Sequence, residues 1–133
     1  MKRIFEIHEL SATLTPVFTK HNIIFAYLFG SIVNNESTPT SDIDIAVYCK
    51  GVMDDSVFEK KLSLHLDICR TLKIDNVDII VLNKTTNLML IDEVIRNGIL
   101  LYDTDTSLRE KYEYFMIHKA IDFKTQRLYT MGI

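Results

Sequence analysis

Two apolar runs, Ile23–Phe29 and residues 45–48, constrain this chain more than anything else in it, because each meets a short chemically distinctive element at one end. The first run closes on Gly30-Ser31; ten residues later Asp42-Ile43-Asp44 opens the second. An uninterrupted apolar run of this length suits a strand covered on both faces. Successive strand side chains alternate, so Asp42 and Asp44 leave one face, while Ile43, Ile45 and Val47 form a β-branched row for packing on the other. Two carboxylates held side by side repel, and the arrangement is costly unless a cation lies between them. Gly30 lets the backbone come close to a ligand, and Ser31 adds a hydroxyl and a backbone N–H suited to phosphate oxygens. If the two strands are neighbours, both features share one sheet edge. The stretch then reads as a phosphate cradle facing a magnesium site. The competing reading of Asp42 and Asp44 is a solvated turn or helix cap, against which the strand-like alternation argues.

A third carboxylate interrupts the later apolar run of residues 77–82, where Asp78 is the single charge. A charge in a central strand is expensive. Either Asp78 sits at the start of the strand, solvated or paired with a base, or this strand aligns with the second one and Asp78 joins Asp42 and Asp44. A three-carboxylate cluster suits magnesium, which takes oxygen ligands and usually combines one or two carboxylates with substrate phosphates. Two such ions can bridge the attacking and leaving oxygens of an in-line displacement.

The remaining pattern supplies helices around these strands. Residues 3–20 place Ile4, Ile7, Leu10, Leu14 and Val17 at helical spacing, with a kink or a fresh turn, capped by Thr15, expected at Pro16. A short helical turn is predicted over residues 31–35 and a polar loop over 36–41. Residues 55–72 predict a helix whose apolar face carries Phe58, Leu62, His65, Leu66, Cys69 and Leu72. Thr86 or Asn87 caps a helix bearing Leu88, Ile91, Val94 and Ile95 and ending before Gly98. Residues 99–102 read as a fourth strand. Ser107 and Glu110 form a capping box for a last helix to about Tyr129, with Leu108, Tyr112, Phe115 or Met116, and Phe123 as its stripe. The aromatics Tyr112, Tyr114, Phe115 and Tyr129 serve either core packing or a partner surface. The expected fold is α/β (α+β): a small mixed sheet of about four strands flanked by helices, in one domain over residues 1–133.

Composition excludes several alternatives. The net charge of −3 argues against direct nucleic-acid binding through phosphates. No run has membrane-spanning length, and the N-terminus lacks a signal-like apolar core. Cys49 and Cys69 form no CxxC or zinc spacing and read as packed thiols in a reducing, cytoplasmic setting. The four histidines show no paired metal spacing, Ser31 is not in a GxSxG elbow, and no GxxxxGK[ST] loop occurs.

The pattern Leu28-Phe29-Gly30-Ser31, ten residues, Asp42-Ile43-Asp44 and a later strand aspartate, Asp78, resembles the polymerase-β-type nucleotidyltransferase superfamily, and the short length resembles its minimal (MNT, MntA-like) members. The resemblance implies that Gly30 and Ser31 hold the triphosphate of ATP, and that Asp42 and Asp44 ligate one or two Mg2+ ions. By the same resemblance Asp78 activates the acceptor hydroxyl as a base or shared ligand, and AMP is transferred with release of pyrophosphate. It further implies an antitoxin that AMPylates a tyrosine of a HEPN-domain RNase toxin. A small-molecule enzyme of the aminoglycoside-modifying kind and a non-catalytic toxin-binding module are the alternatives. One departure is plain: Asn34-Asn35 stand where many family members have Arg-Gly. Asn35 can adopt the left-handed conformation glycine favours, but Asn34 cannot replace an arginine's charge.

Overall fold

A computed structural model describes residues 6–30, 42–51 and 54–130. Ile4, Ser31, Asn34, Asn35 and the turn and loop expected over 31–41 lie outside the described residues. The element order is α1 (Ile7–Lys20), β1 (Ile23–Phe29), β2 (Ile43–Cys49), α2 (Val57–Leu72), β3 (Val77–Val81), α3 (Leu88–Asn97), β4 (Ile99–Asp103) and α4 (Thr106–Thr130). The four strands form one sheet in the order β3-β2-β1-β4. β1 is antiparallel to both β2 and β4. β2 and β3 run parallel, as a strand–helix–strand crossover through α2 allows.

Each sheet face is sealed by a pair of helices, which explains why β1 is apolar on both sides. Ala26 and Leu28 of β1, the row Ile43, Ile45 and Val47 of β2, and Val77, Ile79 and Val81 of β3 pack with Leu14 and Phe18 of α1 and Leu64 and Ile68 of α2. On the other face, Phe25, Tyr27 and Phe29 of β1 meet Ile91 and Val94 of α3 and Tyr112 and Met116 of α4. Phe25 stacks on Tyr48 with ring centroids 4.8 Å apart. Each fully buried large side chain contributes about 1.5–3 kcal/mol.

Several local readings are corrected. α1 runs through Pro16 as one helix. Thr15 does not cap a new turn; its hydroxyl bonds the Ser11 carbonyl. The face of α2 that meets the sheet carries Leu64 and Ile68, leaving Phe58, Leu62 and Leu66 exposed. α4 is capped by Asp105, whose carboxylate accepts the Leu108 N–H, so the Ser107–Glu110 box is not the cap. On α4 Tyr112 and Met116 pack, while Phe115 and Phe123 face outward. Asn87 is the cap of α3, accepting the Leu90 N–H. Beyond β3, the Asn83 side chain donates to the Cys49 carbonyl and accepts its N–H, so it stands in for a further ladder residue at the end of β2.

α3 and α4 are tied by charge. Asp92 is buried, and its two carboxylate oxygens take Arg96 at 2.8 Å and Lys124 at 3.0 Å. These partners hold its carboxyl below the ordinary aspartate range, against the opposing effect of burial. Replacing Asp92 by alanine leaves both bases half-exposed and hydrated, so the cost is that of the charged hydrogen bonds, about 1–3 kcal/mol; urea unfolding of Asp92→Ala should show this loss with an unchanged denaturant slope.

Candidate active site

The end of β1 and the starts of β2 and β3 meet at one side of the sheet. Phe29 pairs with Asp44 across the β1–β2 ladder, and Asp44 pairs with Asp78 across the β2–β3 ladder. In a parallel pair, residues in register send their side chains to the same face, with strands roughly 4.8 Å apart. That is the face closed by α3 and α4, since Asp44 shares its parity with Ala46 and Asp78 with Ile80. Asp42 and Asp78 are exposed, and Asp44 is half-buried.

The electrostatics show the crowding. The Asp44 carboxyl is pushed up to about 6, first by burial, then by the charges of Asp78 and Asp42. Among the described residues no lysine or arginine forms an ion pair with any of the three. Among those residues no three His, Cys, Asp or Glu side chains are gathered closely enough to enclose a metal ion. The chemistry of the donors nevertheless fits a hard divalent cation, whose shell takes one or two carboxylates and is completed by phosphate oxygens and water.

Gly30 closes the other side. It has φ +86°, and a β-carbon there would collide with the Asp44 carboxylate. The backbone therefore passes directly over the carboxylate, as only glycine permits. Of the residues singled out in the sequence, the structure brings Gly30, Asp42, Asp44 and Asp78 together; Ser31 lies outside the described residues. His65 is on α2, across the sheet from these carboxylates, its Nε2 3.5 Å from Cys69 Sγ. Cys49, buried at the far end of β2, has its thiol pushed up to about 11 by that burial.

Residues 12–107 match the sequence profile of the Polymerase beta nucleotidyltransferase family. The chain belongs to that family. The nucleotidyltransferase shares 44% identity over 41 residues with a Methanocaldococcus jannaschii protein that carries the provisional name of protein adenylyltransferase; the match covers 31% of this chain and 44% of the relative, less than half of its length. Its fold is similar to a chain of a toxin–antitoxin complex solved with AMP-PNP, with a TM-score of 0.68 at 20% identity over 92% of each chain. A complex of a tri-AMPylated Shewanella oneidensis HEPN toxin with its MNT antitoxin gives a TM-score of 0.64 at 19% identity, over 96% of this chain and 93% of that one. At these identities the likeness is one of fold. Among the described residues no helix is long and apolar enough to cross a membrane.

Sequence reasoning assigned Phe58 and Leu62 to the core, and the structure leaves both exposed, lining a cleft between α2 and β3 on the sheet face opposite the Asp44 and Asp78 side chains. The signal for them was present as the spacing Phe58, Leu62, Leu66, which lies on a different side of the helix from Leu64 and Ile68.

Gly30→Ala in this nucleotidyltransferase should cost about 1–2 kcal/mol from the left-handed backbone and also displace Asp44; urea unfolding measures the first effect and loss of divalent-ion affinity the second. Asp44 gives a pH dependence whose sign follows from proton binding. Between its ordinary value of 3.8 and about 6 the folded state holds more protons than the unfolded state, so the stability of the metal-free protein falls as pH rises through this window. Thermal melts in EDTA from pH 4 to 7 should show that fall against the Asp44→Asn variant, in which this contribution is absent. Added magnesium should raise the wild-type melting temperature at pH 7.5 and lose that effect below about pH 6.

Proposed function

We propose that this nucleotidyltransferase transfers AMP from ATP to a protein hydroxyl, a tyrosine of a cognate HEPN RNase toxin, and so acts as the cytoplasmic antitoxin of a toxin–antitoxin pair. The observation that carries the reading is the registered pairing of Asp44 with Asp78 under Gly30. Its further support is the fold shared with toxin–antitoxin complexes, one holding an ATP analogue and one an AMPylated toxin, and the name of the Methanocaldococcus jannaschii relative.

In this reading Gly30 and Ser31 take the triphosphate through close backbone approach and hydroxyl contact. Asp42 and Asp44 are the magnesium ligands, and Asp78 is the base or a shared ligand. One or two bound ions supply neutralising charge for the attacking and leaving oxygens. The acceptor oxygen forms a bond to the α-phosphorus as the bond from that phosphorus to the bridging oxygen breaks, and pyrophosphate departs. With Asp78 as base, the hydroxyl proton goes to its carboxylate. The protein's part is positioning and charge stabilisation, as in phosphoryl transfer generally. An adduct on the toxin adds bulk and negative charge beside a site that must hold anionic RNA, which opposes RNA binding.

Labelled ATP and magnesium, incubated with and without a co-expressed HEPN partner, test this directly. Label should appear on the partner's tyrosine, and the Asp42→Ala/Asp44→Ala variant should lose at least about 100-fold in rate. Label on an aminoglycoside instead would favour a small-molecule transferase. Neutralisation of the partner by the double variant at wild-type strength would make the chain a binding module.

A further inference from the structure

β3 is the outermost strand on its side of the sheet, and among the described residues no strand lies beyond it. An edge strand presents a row of main-chain N–H and C=O groups with which an added strand can pair. The two edges of this sheet differ. The β1–β4 ladder shifts register between Ala26 and Tyr27, and the Ser11 hydroxyl donates to the Leu101 carbonyl at 2.6 Å. An irregularity of this kind turns an edge away from pairing. β3 keeps unbroken register with β2 from Val77 to Val81 and contains no proline.

A cleft of about 290 Å³ opens at this regular edge. Ile80 and Leu90 line it, and both belong to the sheet face that carries the Asp44 and Asp78 side chains. Val57 and Lys61 of α2, with Lys84 from the turn after β3, complete it. Among its described walls there is no carboxylate. Two lysines therefore make the cleft locally cationic in a chain whose net charge is −3.

We infer that this edge docks the acceptor protein as an extended segment, and that the cleft takes an acidic side chain two positions from the hydroxyl that receives AMP. The inference rests on the transferase reading and adds the acceptor's backbone conformation and its sequence requirement. Position separates acceptor from nucleotide. Gly30 follows β1, and β2 lies between β1 and β3, so the edge is roughly 10 Å from the glycine turn, two strand spacings away. It lies on the far side of Asp78 from the residues assigned to the triphosphate. Asp78 and Ile80 share a parity and stand roughly 7 Å apart along the strand. A strand added to this edge has the same rise and alternation. When its hydroxyl residue lies opposite Asp78, the side chain two positions away arrives opposite Ile80, at the cleft. A carboxylate there meets Lys61 and Lys84, and a basic side chain is repelled. Main-chain bonds to the edge supply affinity, and the alternate side chains supply specificity.

Three acetylated, amidated peptides test the docking: Glu-Thr-Tyr-Thr-Glu, and the same sequence with glutamine or with lysine in place of both glutamates. In amide NMR of the protein, the glutamate peptide should shift the signals of residues 77–81 and of Lys61 and Lys84 saturably. It should bind at least tenfold more tightly than the glutamine peptide, and the lysine peptide should not bind. Lys61→Gln/Lys84→Gln should abolish that preference, and Lys61→Arg/Lys84→Arg, which keeps both charges, should retain it. With labelled ATP and magnesium, the glutamate peptide should show a KM at least tenfold below that of the glutamine peptide, and the Gln double variant should leave the KM for ATP within twofold. Absence of saturable binding by the glutamate peptide, equal binding of all three, or a preference that survives the Gln double variant overturns the inference. So does displacement of the peptide from Lys61 and Lys84 by inorganic pyrophosphate at equal concentration, which would assign the cleft to nucleotide phosphates. Failure of ATP with magnesium to perturb signals around Asp44 overturns the transferase reading instead, so the two failures are distinguishable.

Discussion

The parallel pairing of β2 with β3 is the constraint on which the rest of the molecule turns. It sets Asp44 opposite Asp78 and holds two like charges one strand spacing apart, where an unassisted fold would keep them separate. A parallel pair needs a crossover, and α2 supplies it, anchored by Leu64 and Ile68 against the sheet. β1 then lies antiparallel on the other side of β2 and delivers Gly30 to the same end. Three elements that are remote in sequence thus converge because of strand order, with no long loop needed to carry them there. The cost appears in the raised Asp44 carboxyl, pushed up first by burial and then by the charges of Asp78 and Asp42.

Membership of the nucleotidyltransferase family explains why an acidic chain handles a polyanion. With a net charge of −3 and carboxylates at the site, direct attraction to ATP is absent. In the proposed chemistry the bound cation reverses the local sign, so protein and phosphates both become its ligands. The shared fold does not choose the acceptor.

The strands and the acidic pattern were legible in the sequence because both are local signals. Ile23–Phe29 is apolar throughout, and Asp44 and Asp78 each interrupt a β-branched run at a position whose parity fixes their face. Periodicity was less informative for α2. It carries two apolar rows, Phe58-Leu62-Leu66 and Leu64-Ile68, and spacing alone cannot say which meets the sheet. That depends on how the crossover turns, a tertiary property. α4 shows the same limit: Phe115 and Phe123 fit a helical stripe, yet the row that packs is Tyr112 and Met116, and the two phenylalanines are exposed. Asp105 and Ser107 were both competent caps, and the geometry of the β4–α4 turn, in which Asp103 takes Thr106 and Arg109, selects the former.

The crossover has a consequence for the order in which the protein is made. A chain emerging from the ribosome has its glycine turn and first two aspartates in hand well before the opposing carboxylate exists as a neighbour. Before β3 docks, Asp44 has no Asp78 across the ladder, and the face that buries it is completed only by α3 and α4, which lie later in the chain.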